Sequence, residues 1–458
     1  MKEKKGISLI VLIVTIIVMI IIAGAIIISL SDTNIIDQAG KATTNWNIST
    51  IKEQINVTNA IRSSGIEGNF LEKVKNGTLE EVGIEDEEWN KKLIIQNEKL
   101  VYRPENVTEK EAEEFISNGI IAGDYIAVVN TSDSLSNYQN TSNIIVASEL
   151  NQKLKDDKNA TVFILEDISL SGWTTVSYPD EDGDGIIEDF KGTIDGCGNT
   201  ISDLNVTLIQ SNEGIIKNIT LTGQCDYLYA GMFTEYNYGT IMNCHNKVDI
   251  LDGIFAAGIT YSNYDSGKII NCSNTGNIYA SDDVAGIAII NTGNIYNTFN
   301  SGNIEGYESS SIRFIGGIVA NNYTGNVENC YNSGNINIDV SGYEFVCGII
   351  GAYGNLKCSY NIGNIDASGI LDTNVGKIGY NIETLNVFAA NKNTAPELGK
   401  SIVATWIEDL VETDGDTVTL ADKTELLNRL NAGNSTKVWV EDTNNINNGY
   451  PILYWQVQ

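Results

Sequence analysis

The run with the most metal-ligating chemistry is YPDEDGDGIIEDF, from Tyr178 to Phe190. Asp180, Asp182 and Asp184 alternate, Gly185 follows, Ile186 can offer its carbonyl, and Glu188 stands two further on. Alternating carboxylates converge on one hard cation, and the glycine permits the sharp turn. Lys191 occupies the place of the closing bidentate Glu of such a calcium loop, so Asp189 would have to supply that ligand. Ca2+ is the candidate cofactor here; the other reading is a solvated acidic turn between Trp173 and Phe190. Nothing else in the sequence requires a cofactor.

Nucleophilic catalysis finds little material. His245 is the single histidine, so any Ser-His or Cys-His pair must use it. It stands at a position expected to face outward, where other copies of the repeat described below carry Ser, Phe or Tyr. The seven cysteines, 197, 225, 244, 272, 330, 347 and 358, include no CxxC and no zinc spacing. Three of them share a repeat column with Thr298 and Ser359, which suggests small buried fillers rather than a disulfide framework. Arg313 is the only arginine of the repeat region, and the acidic residues there (Glu235, Asp249, Asp265, Glu305, Glu328, Asp339) form no obvious pair. With 59 acidic against 28 basic residues and a net charge of −31, the chain lacks the basic footprint of nucleic-acid binding.

The element that must position these residues is a repeat. GNVENCYNSGNI at Gly325 has variants at Gly239, Gly267, Gly293 and Gly354 and a weaker copy at Gly214. AGM, AGI, GGI and CGI triplets recur between copies, and the starting glycines lie 25 to 32 residues apart, a solenoid-scale period. Ile216, Ile241, Ile269, Ile295, Val327 and Leu356 form an apolar column. Asn218, Asn243, Asn271, Asn297 and Asn329 form a second, broken by Cys358. Asn246, Asn274, Asn300, Asn332 and Asn361 form a third. Asn and Gly tolerate left-handed corners, and like residues on successive coils stack about 4.8 Å apart, so Asn amides can form ladders. Met242, Ile270, Tyr296, Glu328 and Lys357 should face outward. The expected fold is mainly β: a parallel β-helix, preceded by a small α/β segment and an N-terminal transmembrane helix.

These copies resemble GLUG-type repeats of bacterial surface proteins, GGxVGxNxGxIxNCYNTGxV. FKGTIDGCGNTISDL from Phe190 and NNGYPILYWQ from Asn447 are similar to the segments that open and close such solenoids, so the resemblance covers roughly 143 to 458. It implies architecture and surface location more than any activity.

Ile7 to Leu30 runs without charge behind the three lysines of MKEKKG. As a helix it would rise about 36 Å, enough to span a bilayer with the lysines inside and the rest of the chain outside. A secretory signal peptide is one alternative. KGISLIV, Lys5 to Val11, resembles the leader of type IV prepilins. That resemblance implies cleavage between Gly6 and Ile7 and methylation of Ile7, with Ser8, Leu9 and Ile10 also in pattern. Val11 departs from the usual Glu, which would offset a neighbour's buried ammonium.

The organisation expected is a leader at 1–6, a membrane helix at 7–30 and a helical extension at 31–62. A small α/β or stalk segment follows at 63–142. The β-helix at 143–390 carries a helical cap at 148–156, and 391–458 close its far end. Within the stalk segment, Leu93 to Arg103 reads as a hairpin turning at Gln96-Asn97-Glu98, and Thr108 with Glu111 forms a capping box. Tyrosines gather at variable repeat positions, among them Tyr227, Tyr229, Tyr236, Tyr238, Tyr261, Tyr264, Tyr279, Tyr307, Tyr323, Tyr331, Tyr343, Tyr353 and Tyr360. They suit glycan or protein contact as well as plain β-structure.

The function expected is that of a non-enzymatic cell-surface adhesin or binding solenoid, membrane-anchored or pilus-associated. Its partners would be the membrane, other pilin-like subunits and an extracellular glycan or protein, not nucleic acid. The alternative is a β-helix carbohydrate-active enzyme, a polysaccharide lyase or glycoside hydrolase.

Overall fold

A computed structural model describes residues 33–64, 73–180, 187–307, 314–338, 345–367, 375–376, 378–379, 383–385, 388–389 and 423–457. The expectations for Gly6, Ile7 and the membrane segment 7–30 lie outside the described residues. Among the described residues no helix is long and apolar enough to cross a membrane.

The protein is mainly β, a parallel β-solenoid of about seven turns. The apolar column stacks in register: Ile216, Ile241, Ile269, Ile295, Val327 and Leu356 are direct strand partners and all are buried. Burying an aliphatic side chain of this size contributes about 1.5–3 kcal/mol, so this single column is a main source of stability. A second face stacks 209–212, 234–237, 260–263, 288–291, 319–321 and 350–352. A third pairs 256–257, 284–285, 314–316, 345–347 and 375–376.

The first Asn column makes the corners. Asn218, Asn243, Asn271, Asn297, Asn329 and Cys358 all have φ between 48° and 56°. L-residues avoid this left-handed conformation, and Asn tolerates it best after glycine. Along the column Asn243 donates to Asn218 (3.0 Å), Asn271 to Asn243 (3.2 Å) and Asn297 to Asn271 (3.2 Å). The second Asn column is buried and its amides run as one chain. Asn246 donates to Asn274 (2.7 Å), Asn274 to Asn300 (2.8 Å), Asn300 to Asn332 (2.8 Å) and Asn332 to Asn361 (2.9 Å). A third ladder, not recognised in the sequence, joins Asn212, Asn237, Asn263, Asn291 and Asn322 at 2.7–2.8 Å.

The glycine of each AGI or GGI triplet has a packing reason. A Cβ at Gly258, Gly286 or Gly317 would lie 2.5–2.6 Å from the side chain of Asn274, Asn300 or Asn332. The next column, Cys244, Cys272, Thr298, Cys330 and Ser359, shares one hydrogen bond. Each thiol or hydroxyl donates to the carbonyl two residues earlier, at 2.7–3.4 Å. That common role explains why Cys, Thr and Ser interchange there. No disulfide joins any of the seven cysteines. Of Met242, Ile270, Tyr296, Glu328 and Lys357, expected to face outward, Ile270 is the one that is fully buried, at 1% exposure.

Helix α1 (Thr33–Ser64) buries Ile48, Ile51 and Ile55 against a small unit containing α2 (Glu87–Lys92), the hairpin 93–102 and α3 (Glu109–Ser117). The hairpin turns through Asn97 and Glu98, both left-handed, and the Thr108–Glu111 capping box is formed. The first sheet opens with Ile126–Val129, paired to 144–146 and 161–164. Helix α4 (Ala147–Asp156) places Leu150 and Leu154 in the same core as the solenoid's inner column.

The C-terminal segment differs from expectation. Its described part, 423–457 with α5 (Lys423–Ala432), lies along the side of the solenoid. It packs Leu426, Leu430, Trp439 and Leu453 on the stacked rings of Phe299, Tyr331 and Tyr360. Tyr331 and Tyr360, expected among exposed tyrosines, are therefore buried. Their hydroxyls are satisfied by the segment: Tyr331 with Gln456, and Tyr360 with Asn447 and the Pro451 carbonyl.

Candidate functional site: an aromatic face on the solenoid

Of the proposed calcium ligands, Asp182, Asp184 and Ile186 fall in 181–186, outside the described residues. Asp180 and Glu188 flank that gap. Backbone bridging between Tyr178 and Glu188 closes the base of the loop. The Glu188 carboxylate is engaged by Lys158 at 3.2 Å, a partner it would have to release to bind a cation. Asp189 accepts a hydrogen bond from Ser211. Among the described residues no group of three His, Cys, Asp or Glu side chains is placed to hold a metal ion.

His245 is not a free surface group. Its ring stacks on Trp455 of the C-terminal segment, 5.2 Å between centroids, and Nδ1 lies 3.0 Å from Ser273 Oγ. The two residues are strand partners in adjacent coils. Burial, helped by the nearby Lys247 charge, lowers the imidazole pKa to about 4, so the ring is neutral near pH 7. Ser273 is only 3% exposed, which leaves its hydroxyl closed to a substrate. The cysteines of the repeat column are no better placed as nucleophiles. Burial pushes the Cys330 thiol up to about 12 and raises Cys244 well above its ordinary value, so both stay protonated.

The exposed chemistry gathers elsewhere. Six aromatic rings form one unbroken run, Tyr229–Phe255–Tyr261–Tyr236–Tyr264–Tyr238. Tyr229 meets Phe255 edge-on at 5.3 Å, Phe255 meets Tyr261 at 5.6 Å, and Tyr238 lies flat on Tyr264 at 4.4 Å and 6°. The neighbouring strands 234–237 and 260–263 bring Tyr236 and Tyr261 together, 6.4 Å between centroids. Tyr229 is 54% and Tyr238 37% exposed, and the other four rings are half-buried. Carboxylates border the run: Glu235 beside Tyr236 and Tyr261, and Asp283 near Tyr261. Burial, with Tyr264 alongside, pushes the Tyr238 phenol up to about 12. The face is thus a platform of aromatic rings with hydrogen-bond acceptors at its edge. The tyrosine positions were visible in the sequence, but their continuity across coils was not.

No family model matches this sequence, and no curated protein matches it. Solved structures do resemble it. One is described as "a putative immunoglobulin A1 protease" from Bacteroides ovatus, with 17% identity and a TM-score of 0.40 over 65% of this chain and 86% of the other. Another is named IgA1 Protease, with 15% identity and a TM-score of 0.43. It too is matched over 65% of this chain, which spans 23% of that chain's length. The likeness is one of β-solenoid architecture. The expectation of a protein without enzymatic activity is corrected on this point, because the solved chains similar to it carry protease names.

Proposed function

We propose that this protein is a solenoid displayed at a bacterial cell surface, whose aromatic face binds an extracellular carbohydrate. The single observation that carries the reading is the six-ring run from Tyr229 to Tyr238 with carboxylates at its border. Flat aromatic rings offer apolar faces with polar tips, suited to the C–H faces of sugar rings, while carboxylates accept from sugar hydroxyls. A net charge of −31 disfavours polyanions, which points to a neutral glycan. Display rests on the uncharged segment 7–30, acting as an anchor or, after cleavage between Gly6 and Ile7, as a pilus-associated segment. The GLUG-like repeats then serve as a rigid spacer and an extended binding surface.

The test is affinity electrophoresis of the purified chain through gels containing galactomannan, xyloglucan or mixed-linkage β-glucan. The wild type should be retarded by at least one of them, and a Tyr229→Ala/Tyr238→Ala variant should lose most of that retardation. Equal retardation of both, or none in any gel, would overturn the reading.

A further inference from the structure

Where the small N-terminal unit meets the solenoid, three ionisable side chains come together, Lys217 and Asp195 buried and Glu81 half-buried. Lys217 Nζ lies 2.7 and 2.8 Å from the two carboxylate oxygens of Glu81 and 3.4 Å from Asp195 Oδ2. Lys217 and Asp195 are direct partners on adjacent parallel strands, and both are buried. The two oxygens of Asp195 are treated differently. Oδ1 accepts from the Cys197 backbone N–H (2.8 Å) and from Asn218 Nδ2 (2.9 Å), whereas Oδ2 has no hydrogen-bond partner and faces the amine. Gly77 packs against the cluster, where a Cβ would overlap Glu81 Oε1 and Lys217 Nζ.

We propose that Lys217 and Asp195 condense to an intramolecular amide bond, with Glu81 as the proton carrier. The arrangement supplies each requirement of that reaction. The amine is held 3.4 Å from Asp195 Oδ2, beside the carboxyl carbon it must attack, so the two reacting groups are already brought together. The two donors on Oδ1 are placed to stabilise the oxyanion that forms on attack. Glu81 reaches the amine with both oxygens and can take a proton from nitrogen and give one to the departing oxygen. Burial raises the pKa of Glu81, easing its uptake of a proton; burial alone would lower that of Lys217, but the Asp195 and Glu81 carboxylates outweigh it, so the reaction starts from the ammonium.

The balance is simple. The Lys217 ammonium transfers one proton to the Asp195 carboxylate, leaving amine and carboxylic acid. The nitrogen lone pair forms the bond to Cγ, nitrogen releases a second proton through Glu81, and the Cγ–Oδ2 bond breaks as Oδ2 leaves in water. Ammonium plus carboxylate give amide plus one water, Glu81 ends as it began, and no oxidant or co-reactant is used. The water can leave through the adjoining groove of about 510 Å³, whose walls include Glu81, Cys197 and Asn218. The product would lock the first coils of the solenoid covalently, beside the unit through which pull on the N-terminal anchor would pass.

The test is the intact mass of the purified full chain, followed by peptide mapping. The expected mass is one water below that of the sequence, with a branched peptide linking the segments around 195 and 217. A full sequence mass, or a water loss mapping to any other residue, would overturn the proposal. Glu81→Gln keeps shape but removes the proton carrier, and should restore the full mass. Complete condensation in that variant would overturn the role given to Glu81.

Discussion

Asn329 and Asn434 exchange both of their amide hydrogen bonds. Asn329 Nδ2 donates to Asn434 Oδ1 at 3.1 Å, and Asn434 Nδ2 returns one to Asn329 Oδ1 at 2.8 Å. Trp439 Nε1 adds a third contact to Asn329 Oδ1 at 3.2 Å. The corner ladder is thereby diverted out of the solenoid. Asn297 Oδ1, which would otherwise receive the next rung, has no hydrogen-bond partner. The C-terminal segment takes over just before Cys358, where the column can no longer offer an amide.

Asn434→Ala should therefore loosen the segment without unfolding the solenoid. It leaves a buried Asn329 donor unpaired, a cost of about 1–3 kcal/mol. Hydrogen exchange read by mass spectrometry should speed up over 423–457 and stay unchanged over 215–300. Uniform loss of protection would contradict this division.

The left-handed corners can be separated from their ladder at Asn271, whose φ is 53°. Asn271→Gly and Asn271→Ala both delete the amide, but only alanine strains the backbone. The alanine variant should be less stable than the glycine variant by about 1 kcal/mol in denaturant titration. Equal midpoints would show that the corner conformation is not the constraint.

Gly286→Ala tests the close approach behind the AGI triplet. The added methyl would meet the Asn300 side chain, which bonds Asn274, Asn332 and the Gly302 carbonyl. Overpacking costs about 1–3 kcal/mol, and breaking the ladder would add to it. A thermal melt should fall by several degrees, whereas Gly119→Ala, where no atom lies near the added Cβ, strains only its left-handed turn.

His245 makes stability depend on pH. Its pKa is lowered by burial from 6.5 to about 4, so the unfolded chain binds its proton first as acid is added. Stability from this residue is whole above pH 6.5, falls as pH drops towards 4, and is then down by up to about 3 kcal/mol. His245→Gln should flatten the denaturation midpoint between pH 6.5 and 4. An unchanged slope would mean that the ring is not buried against Trp455.

Much of the solenoid was legible because its constraints repeat. The Ile216-to-Leu356 column and two Asn columns recur at one phase after each starting glycine, so alignment exposes them. The third ladder escaped because Asn212, Asn237, Asn263, Asn291 and Asn322 precede those glycines by two to four residues, and a turn of variable length blurs the phase. His245, Tyr331 and Tyr360 do sit at an outward phase. Tyr331 and Tyr360 are buried and His245 half-buried because a segment far along the chain, from 87 residues after Tyr360 to 210 after His245, covers them, and no local pattern encodes that contact. Lys217 and Asp195 look unremarkable in sequence, since their pairing depends on strand register and on Glu81 from a separate unit.

Binding by a surface-displayed aromatic face is tested most directly on intact cells. Cells carrying the full chain should adhere to an immobilised neutral polysaccharide that retards the purified protein, and external protease should remove that adherence. Cells carrying the Tyr229→Ala/Tyr238→Ala variant, at equal surface level, should adhere several-fold less. Equal adherence of the two, or a wild-type chain that external protease cannot reach, would contradict it.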